Sequence, residues 1–175
     1  MPYFTSLILP DYVYHGTIAE FSKSFTKQPI NFSKLSNSIN KDFGTGLYTT
    51  IDLYQATVWA KKLSMDLALE PDFIGADVTP CVVVFRIKQD DYMDNVEVLD
   101  FRGESRRWSN FVLSHRIGSS LNHCSCNYHP QIVCGSIADN NTSGVIEEFI
   151  DQNKDTQSVD DQLWFQNRIT YKDSE

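Results

Sequence analysis

The sequence predicts an α+β fold in a single domain that spans residues 1–175. Segments with helical periodicity and segments rich in β-branched residues follow one another without the regular strand–helix alternation of a doubly wound sheet. Hydrophobic residues make up 41% of the chain and aromatic residues 13%, which is enough for a packed core. Because no repeat, low-complexity tract or linker divides the 175 residues, we expect one domain.

The amino-terminal part is predicted to hold two strands on either side of a polar stretch. Tyr12–Thr17 is typical of a strand. Residues 19–41 are rich in Ser, Asn and Lys with scattered Phe and Ile, which favours loops and a short helix. Lys41–Thr50 combines a glycine-punctuated turn with a second, short strand.

Residues 51–69 are predicted to form an amphipathic helix. Thr49 followed by Asp52 resembles an N-terminal capping arrangement. Trp59 is assigned to the packing of this helix. Apolar residues recur at helical spacing after the cap, namely Leu53, Ala56, Ala60, Leu63 and Leu67.

The next three elements are predicted to be two strands and a helix. Cys81–Ile87 is a β-branched run typical of a central strand that is buried on both faces. Residues 96–101 alternate in hydropathy and predict another strand. Residues 105–116 carry apolar side chains at helical spacing and predict a helix that ends near Gly118.

The carboxy-terminal part is predicted to begin and end with a strand, at residues 131–135 and 167–171. Between them, Ser158 with Asp161 predicts the start of a short helix. An earlier helix is indicated by an apolar stripe preceded by capping-type residues, the stripe being Val145, Ile146, Phe149 and Ile150 and the capping residues Asn141, Thr142 and Ser143.

Charge and cysteine content narrow the class of protein. Fifteen Lys and Arg against 23 Asp and Glu give a formal charge of −8, which disfavours attraction to nucleic acid or anionic lipid but does not exclude an enzyme that acts on a base. No apolar run is long enough to span a membrane, and the first residues have no basic flank or cleavage site. We expect a cytoplasmic protein without a membrane partner.

Four cysteines are too few for a disulfide framework. Cys124 and Cys126 lie between His123 and His129, but a C-x-C pair with all four candidate ligands in one loop closes poorly around zinc. We therefore expect reduced thiols and no metal.

Two segments carry the residue types that bind ligands. In Tyr14–Thr17, a His followed by Gly leaves the imidazole and the neighbouring amide open to a ligand. In Asp42–Thr49, two glycines precede Tyr48, whose ring offers an aromatic face. Neither a Walker loop nor a dinucleotide-binding fingerprint is present. Taken alone, these residues favour a turn histidine and a core tyrosine over a binding site.

The chain nevertheless carries a series of short motifs, in order, that resembles a mostly bacterial family within the ADP-ribosyltransferase superfamily, in its His-Tyr-Glu branch. Each motif is weak alone, and their ordered combination extends from Tyr14 to Tyr171. The motifs are Y-H-G-T, D-F-G-x-G-x-Y-x-T, Q-A-x-x-W-A, W-x-x-F-V-x-x-x-R, I-V-x-G-x-I-A-D and N-x-I-x-Y.

This resemblance implies a split β-sandwich with peripheral helices that binds NAD, as co-substrate, in a bent shape. It implies that His15 binds the adenosine ribose, that the Gly16 backbone holds the nicotinamide amide, and that Tyr48 stacks on the nicotinamide ring. Thr17 is a further candidate contact to the ribose or amide. The mouth of the site would be lined by Asp42, Phe43 and Gly44, with Phe43 free to cover the cofactor.

The chain departs from the family at the third catalytic position, where Arg168 stands in place of Glu or Gln. A guanidinium repels a developing cation, so three interpretations stay open. Asn167 or Gln166 supplies a neutral hydrogen bond after a shift in register, Arg168 binds the diphosphate or an anionic acceptor, or the domain binds NAD without turnover. We keep His15, Tyr48, Arg168 and Asn167 as the candidate catalytic residues.

Two more residues are candidates for the site. Arg116 is expected to bind an anion of the cofactor, with a salt bridge at the helix end as the alternative. Asp139 is expected to reach the site from its loop, with helix capping as the alternative.

The resemblance implies an NAD-dependent ADP-ribosyltransferase that modifies a macromolecule, with nicotinamide as the leaving product. The acidic charge favours a protein acceptor over a nucleic acid. A toxin or effector role with an inhibitor or immunity protein as partner fits this activity. An NAD glycohydrolase and a catalytically silent NAD-binding domain are the alternatives.

Overall fold

The computed structural model of the chain describes residues 9–27, 41–88, 96–118, 130–138, 140–156 and 158–168. These residues form five α-helices and two two-stranded sheets, so the predicted α+β class is confirmed. The chain divides into two compact units, which we describe separately. The amino-terminal unit comprises Ile8–Leu35 and Leu47–Asp94, and the carboxy-terminal unit comprises Met1–Leu7, Ser36–Gly46 and Asn95–Glu175. That the chain is a single domain stays a prediction.

The amino-terminal unit is built on one antiparallel strand pair. Strand β1, Tyr12–Ile18, pairs with β2, Pro80–Arg86, in a register that places His15 opposite Val83. Helix α1, Ala19–Lys27, and helix α2, Leu53–Leu67, both pack against these strands. A short 3₁₀ helix, Pro71–Phe73, follows α2.

Helix α2 begins where the sequence places a cap, although the capping residue differs. Asp52 is the N-cap, and its side chain accepts a hydrogen bond of 2.8 Å from the N–H of Tyr54. Thr49 is therefore not the cap. Ala56 and Ala60 are buried, because their small side chains let α2 approach β1 closely. Trp59 is half-exposed, so the prediction that it packs the helix is wrong.

Strand β2 forms as predicted but is not buried on both faces. Val84 is 53% exposed, and Arg86 is also exposed. Among the described residues β2 pairs with β1 alone, so it is not a central strand there. A β-branched run is favourable in any strand with one packed face, and the run by itself does not distinguish one packed face from two.

The described residues of the carboxy-terminal unit form a short parallel strand pair and three helices. Strands β3, Val98–Asp100, and β4, Ile132–Cys134, pair in parallel. Helices α3, Arg106–Gly118, α4, Asn140–Asp151, and α5, Val159–Gln166, pack on one another. Their core consists of Phe101, Trp108, Val112, Leu113, Val145, Ile146, Phe149 and Phe165.

The ends of the last two helices differ in part from the prediction. Ser158 caps α5 as expected, accepting a hydrogen bond from the N–H of Asp161. Helix α4 begins at Asn140, so Asn141, Thr142 and Ser143 lie inside its first turn and not before it. None of the described helices has the length and hydropathy needed to cross a membrane.

The predicted last strand, 167–171, does not begin where expected. Asn167 has helical backbone angles and is the C-cap of α5, and the N–H of Arg168 donates to the carbonyl of Phe165. These two residues complete the helix end and are not in a strand. The rest of the predicted strand lies outside the described residues.

Candidate functional site

The predicted site residues fall into two groups. His15, Gly16, Thr17 and Tyr48 lie in the amino-terminal unit. Within this group the structure brings the two glycine-flanked segments together, because the ring of His15 contacts the main chain of Tyr48. The remaining candidates lie in the carboxy-terminal unit, and they are Asp42, Phe43, Gly44, Arg116, Asn167 and Arg168.

His15 lies in the middle of β1, and its ring is oriented by two neighbours. Its Nδ1 is 2.7 Å from the carbonyl oxygen of Tyr48. A carbonyl can only accept, so Nδ1 carries the hydrogen of this bond and Nε2 of the neutral ring is left as an acceptor. The ring of Phe25 from α1 packs edge-on at a centroid distance of 5.5 Å. His15 thus has a defined tautomer.

The environment keeps this imidazole neutral. Burial lowers the pKa of His15 below its ordinary value, and the hydrogen bond to the Tyr48 carbonyl offsets this only in part. A neutral ring holding Nδ1–H presents its Nε2 lone pair to a donor such as a hydroxyl. Around neutral pH the site therefore offers an acceptor and not a positive charge.

This lowered pKa predicts how stability depends on pH. In the unfolded chain His15 takes up a proton near pH 6.5, whereas the folded protein resists protonation until a lower pH. The unfolded state binds more protons in that window, so stability falls as the pH drops below about 6.5. Urea unfolding at pH 7.5 and 5.5 should show a larger loss of stability for the wild type than for His15→Asn. The amide of that variant can still donate to Tyr48 but does not titrate, and equal losses would contradict the prediction.

Gly16 follows His15 and has its main-chain groups at the edge of the strand pair. In an antiparallel ladder successive residues direct their N–H and C=O to opposite sides. Asp11 and Ala19 bond toward β2, while Tyr14 exchanges bonds of 2.8 and 2.9 Å with Thr50 on the other side. Gly16 lies two residues after Tyr14 and so directs its main-chain groups to the same side of the strand. Its N–H and C=O therefore lie on the Thr50 side and are not used by the ladder with β2.

The reason for glycine at position 16 is different from the expected one. We predicted that the missing Cβ leaves space for a ligand. A Cβ built on Gly16 would instead collide with the carbonyl of Ala56 and lie 3.0 Å from the nitrogen of Ala60. The space beside the Gly16 Cα is filled by the backbone of α2, and Gly16 is buried, so the missing Cβ serves the packing of α2 on β1.

Thr17 and Tyr48 differ in exposure. Thr17 is 2% exposed, which indicates a packing position, and its contact with a ribose or amide stays a prediction. Tyr48 is half-buried. Because the Tyr48 carbonyl and not its ring orients His15, the two side chains can be tested independently.

Asp42 forms a buried ion pair in the carboxy-terminal unit. Its side chain is 4% exposed, and its Oδ1 lies 2.6 Å from Nε and 2.5 Å from Nη2 of Arg116. The N–H of Ala138 donates to Oδ2 at 2.8 Å. Asp42 thus joins three segments of this unit. Arg116 thus forms a salt bridge with Asp42, which was the alternative interpretation for Arg116. This pairing does not support the expectation that Asp42 lines the mouth of the NAD site or that Arg116 binds the cofactor.

Replacing Asp42 by Asn should destabilise the protein by about 3 kcal/mol, because the guanidinium of Arg116, which is only 20% exposed, loses its counter-charge. The change is measured from urea unfolding at pH 7.5. The matched control is Glu20→Gln, which removes the exposed ion pair with Lys23 and should cost less than about 0.5 kcal/mol. A loss for Asp42→Asn as small as that of the control would contradict the prediction.

Phe43 is packed and is not free to cover a cofactor, contrary to the expectation. Its ring lies 6.3 Å from Phe101 and 6.2 Å from Phe111, against the core of the carboxy-terminal unit. Gly44 has a φ of +78° and donates to the carbonyl of Lys41. Glycine is favoured there because the turn needs a left-handed backbone.

Arg168 and Asn167 lie at the end of α5. The guanidinium of Arg168 stacks over the ring of Trp164 at 4.0 Å, and its Nε is 3.8 Å from Glu148. The expected placement of a catalytic residue on a strand is therefore not observed for Arg168. Asp139, the remaining candidate, lies outside the described residues.

Sequence reasoning missed the aromatic side chains around His15. Phe25 contacts both His15 and Phe85, each at 5.5 Å. The spacing of Phe21 and Phe25, four residues apart, is the helical signal that identifies α1 and its packed face. The polar composition of residues 19–41 made this spacing of the two phenylalanines hard to recognise.

Among the described residues, no cluster of three or more His, Cys, Asp or Glu could hold a metal ion. The segment from His123 to His129, with its two cysteines, lies outside them. Cys134 is half-buried, and burial raises the pKa of its thiol.

Comparison with known proteins identifies the family. The chain belongs to DUF3990, a family described as proteins of unknown function, whose family model matches residues 12–171. No curated protein and no solved structure matches the chain.

Proposed function

We propose that this member of the DUF3990 family is an NAD-dependent ADP-ribosyltransferase that modifies a macromolecule, a protein in preference to a nucleic acid. One observation carries the proposal: His15 donates to the Tyr48 carbonyl across 2.7 Å. This bond joins the Y-H-G-T segment to Tyr48, the tyrosine that ends the D-F-G-x-G-x-Y motif. These are the two motifs that resemble the NAD-binding motifs of the ADP-ribosyltransferase superfamily.

The amino-terminal unit offers groups that complement two parts of NAD. Nε2 of the neutral His15 is a hydrogen-bond acceptor, which suits a ribose hydroxyl as donor. A carboxamide has one acceptor oxygen and an NH₂ donor, and the N–H and C=O of Gly16 at the strand edge supply one donor and one acceptor. The resemblance to the superfamily places the nicotinamide amide at Gly16 and the adenosine ribose at His15, and these groups are compatible with that placement.

In the proposed reaction these residues orient the leaving group, nicotinamide. The bond between C1′ of the ribose and the nicotinamide nitrogen breaks, and its electron pair neutralises the pyridinium ring. The ribose becomes an oxocarbenium-like cation, as in glycoside cleavage. An acceptor nucleophile then attacks C1′ and loses its proton. Stacking by Tyr48 and the hydrogen bonds of Gly16 hold the ring in position for departure.

A second candidate, an NAD-binding domain without turnover, is favoured by the partners of Arg168. By the resemblance, this side chain takes the place of the Glu or Gln of the superfamily, and it contacts Trp164 and Glu148. A guanidinium does not stabilise an oxocarbenium ion. Because both residues lie at the end of α5, the proposal gives neither Arg168 nor Asn167 a catalytic role.

Incubation of the purified protein with NAD labelled in its adenylate part, with and without cell lysate, tests the proposal. Label in a macromolecule together with free nicotinamide is the expected result. Free ADP-ribose without labelled macromolecule identifies a glycohydrolase. A rise in melting temperature without nicotinamide release identifies the silent binding domain, and no heat of NAD binding in calorimetry rejects all three. A toxin or effector role with an inhibitor partner depends on the first outcome.

A further inference from the structure

The ring of Phe25 links helix α1 to both strands of the amino-terminal unit. It lies edge-on to His15 of β1 and to Phe85 of β2, at a centroid distance of 5.5 Å in each case. His15 is opposite Val83 in the register of the strand pair, and Val83 is two residues from Phe85. His15 and Phe85 therefore share one face of the sheet, and Phe25 is held by two side chains of that face.

The hydrogen bond to Tyr48 does not by itself fix the plane of the imidazole. It holds Nδ1 of His15 at 2.7 Å from the carbonyl oxygen. A hydrogen bond to a carbonyl tolerates a broad range of directions, and the χ2 torsion of histidine has a broad minimum. The Nε2 lone pair lies in the plane of the ring and turns with it. The contact with Phe25 limits this rotation, so it selects the direction in which Nε2 accepts.

The apolar ring also keeps water from the imidazole. Burial is the main cause of the lowered pKa of His15, and the Tyr48 bond acts in the opposite direction. No charged or titratable side chain on the elements around His15 contributes to this shift. The side chains of this kind are Glu20, Lys23 and Lys27 on α1, Cys81 and Arg86 on β2, and Tyr12 and Tyr14 on β1.

We propose that Phe25 is a positioning residue, which holds the imidazole of His15 in one orientation and keeps Nε2 as a hydrogen-bond acceptor. The orientation of the ring is a property of the protein alone. Its use in binding the ribose of NAD rests on the proposed function.

Removal of the Phe25 ring would open His15 to water. Water then competes for the Tyr48 carbonyl and weakens its bond to Nδ1. Because the bond made by one ring nitrogen decides which nitrogen carries the hydrogen, part of the neutral population would move its hydrogen to Nε2. A ribose hydroxyl that donates to Nε2 would then lose its acceptor.

NMR of the ¹⁵N-labelled protein tests the proposal without NAD, because the ring nitrogen shifts report the tautomer and a pH titration reports the pKa. Wild-type His15 should carry its hydrogen on Nδ1. Phe25→Ala should populate the Nε2–H form and raise the pKa of His15 toward its ordinary value, since burial is the larger influence. Phe25→Leu keeps an apolar side chain and should shift both readouts in the same direction by less, which covers the case in which the alanine variant does not fold.

Phe21→Ala is the matched control. Phe21 lies in the same helix and packs edge-on against Phe73 at 5.7 Å, so its loss loosens α1 without removing a ring from His15. Both readouts of His15 should stay as in the wild type. Equal shifts in the Phe21 and Phe25 variants, or none in either Phe25 variant, would overturn the proposal.

Calorimetry with NAD tests the consequence for the ligand. Phe25→Ala should lower the affinity about tenfold, which is the effect of one weakened hydrogen bond, and Phe21→Ala should leave it unchanged. Absence of NAD binding in every variant, including the wild type, rejects the proposed function and leaves the NMR result as the measure of Phe25. Unchanged affinity in Phe25→Ala together with a shifted tautomer shows that Nε2 does not bind NAD, and overturns the use of this positioning in the site.

Discussion

His15→Ala and Tyr48→Ala should each lower the rate of nicotinamide release from NAD by about a hundredfold or more, while the protein stays folded. The loss of a ring stacked on a heterocycle costs about 1–3 kcal/mol, and about 2.7 kcal/mol corresponds to a hundredfold. The two changes act on different parts of the substrate. Tyr48→Ala leaves the carbonyl that orients His15 and removes only the aromatic face.

Conservative variants separate a role in the site from a role in packing. Tyr48→Phe keeps the ring and should retain most of the activity. Tyr12→Ala removes a tyrosine from the exposed start of β1, the strand that carries His15, and should leave the rate unchanged. The rate is measured by chromatography of released nicotinamide, with circular dichroism as the check of folding. Near-normal rates in both alanine variants would show that the site has been assigned to the wrong residues.

Gly16→Ala should destabilise the protein by about 3 kcal/mol or more, the upper part of the range for overpacking. The new methyl group would collide with the Ala56 carbonyl and approach the Ala60 nitrogen to 3.0 Å. Both are backbone atoms of α2, so no side-chain rotation can relieve the clash, and the helix must move away from β1. Since small domains are stable by about 5–15 kcal/mol, the variant should lose a large share of its stability and unfold at a clearly lower urea concentration.

Gly144→Ala is the matched control for this prediction. Gly144 lies in α4, and a Cβ there meets no atom within 4 Å. Alanine should therefore stabilise the helix by about 0.5–1 kcal/mol. Urea unfolding measures both variants. If Gly16→Ala is as stable as the wild type, α2 does not pack on β1 as described, and the assignment of the Gly16 peptide to a ligand loses its geometric basis.

Local signals determined the elements whose boundaries agree with the structure. The spacing of apolar residues over 51–69 and 105–116 predicted α2 and α3 to within two residues, because a helix has a period of 3.6 and each turn repeats the signal. Ser158 with Asp161 predicted the start of α5 because a cap is made by neighbours in sequence. The motifs around His15 and Tyr48 predicted that these segments meet.

The predictions that the structure contradicts have a common cause, which is that they depend on contacts between distant segments. Phe43, Trp59 and Gly16 were assigned by residue type, yet their orientation depends on which element lies above them. Asn167 and Arg168 were placed in a strand by a short alternating pattern, and such a pattern is equally compatible with the last turn of a helix. A residue type therefore indicates a range of environments, and the neighbours select one of them.

What the sequence by itself determined is the α+β class, the start and length of the main helices, and the pairing of a His-Gly segment with a Tyr segment. Each of these follows from residues that interact over a few positions or from motifs in a fixed order. The tertiary structure alone decided that Arg116 binds Asp42, which lies 74 residues away, that α2 fills the space beside Gly16, and that Tyr54 and Met65 of α2 are exposed. These depend on contacts between distant segments, and hydrophobic burial, which drives such contacts, depends on area and has no direction.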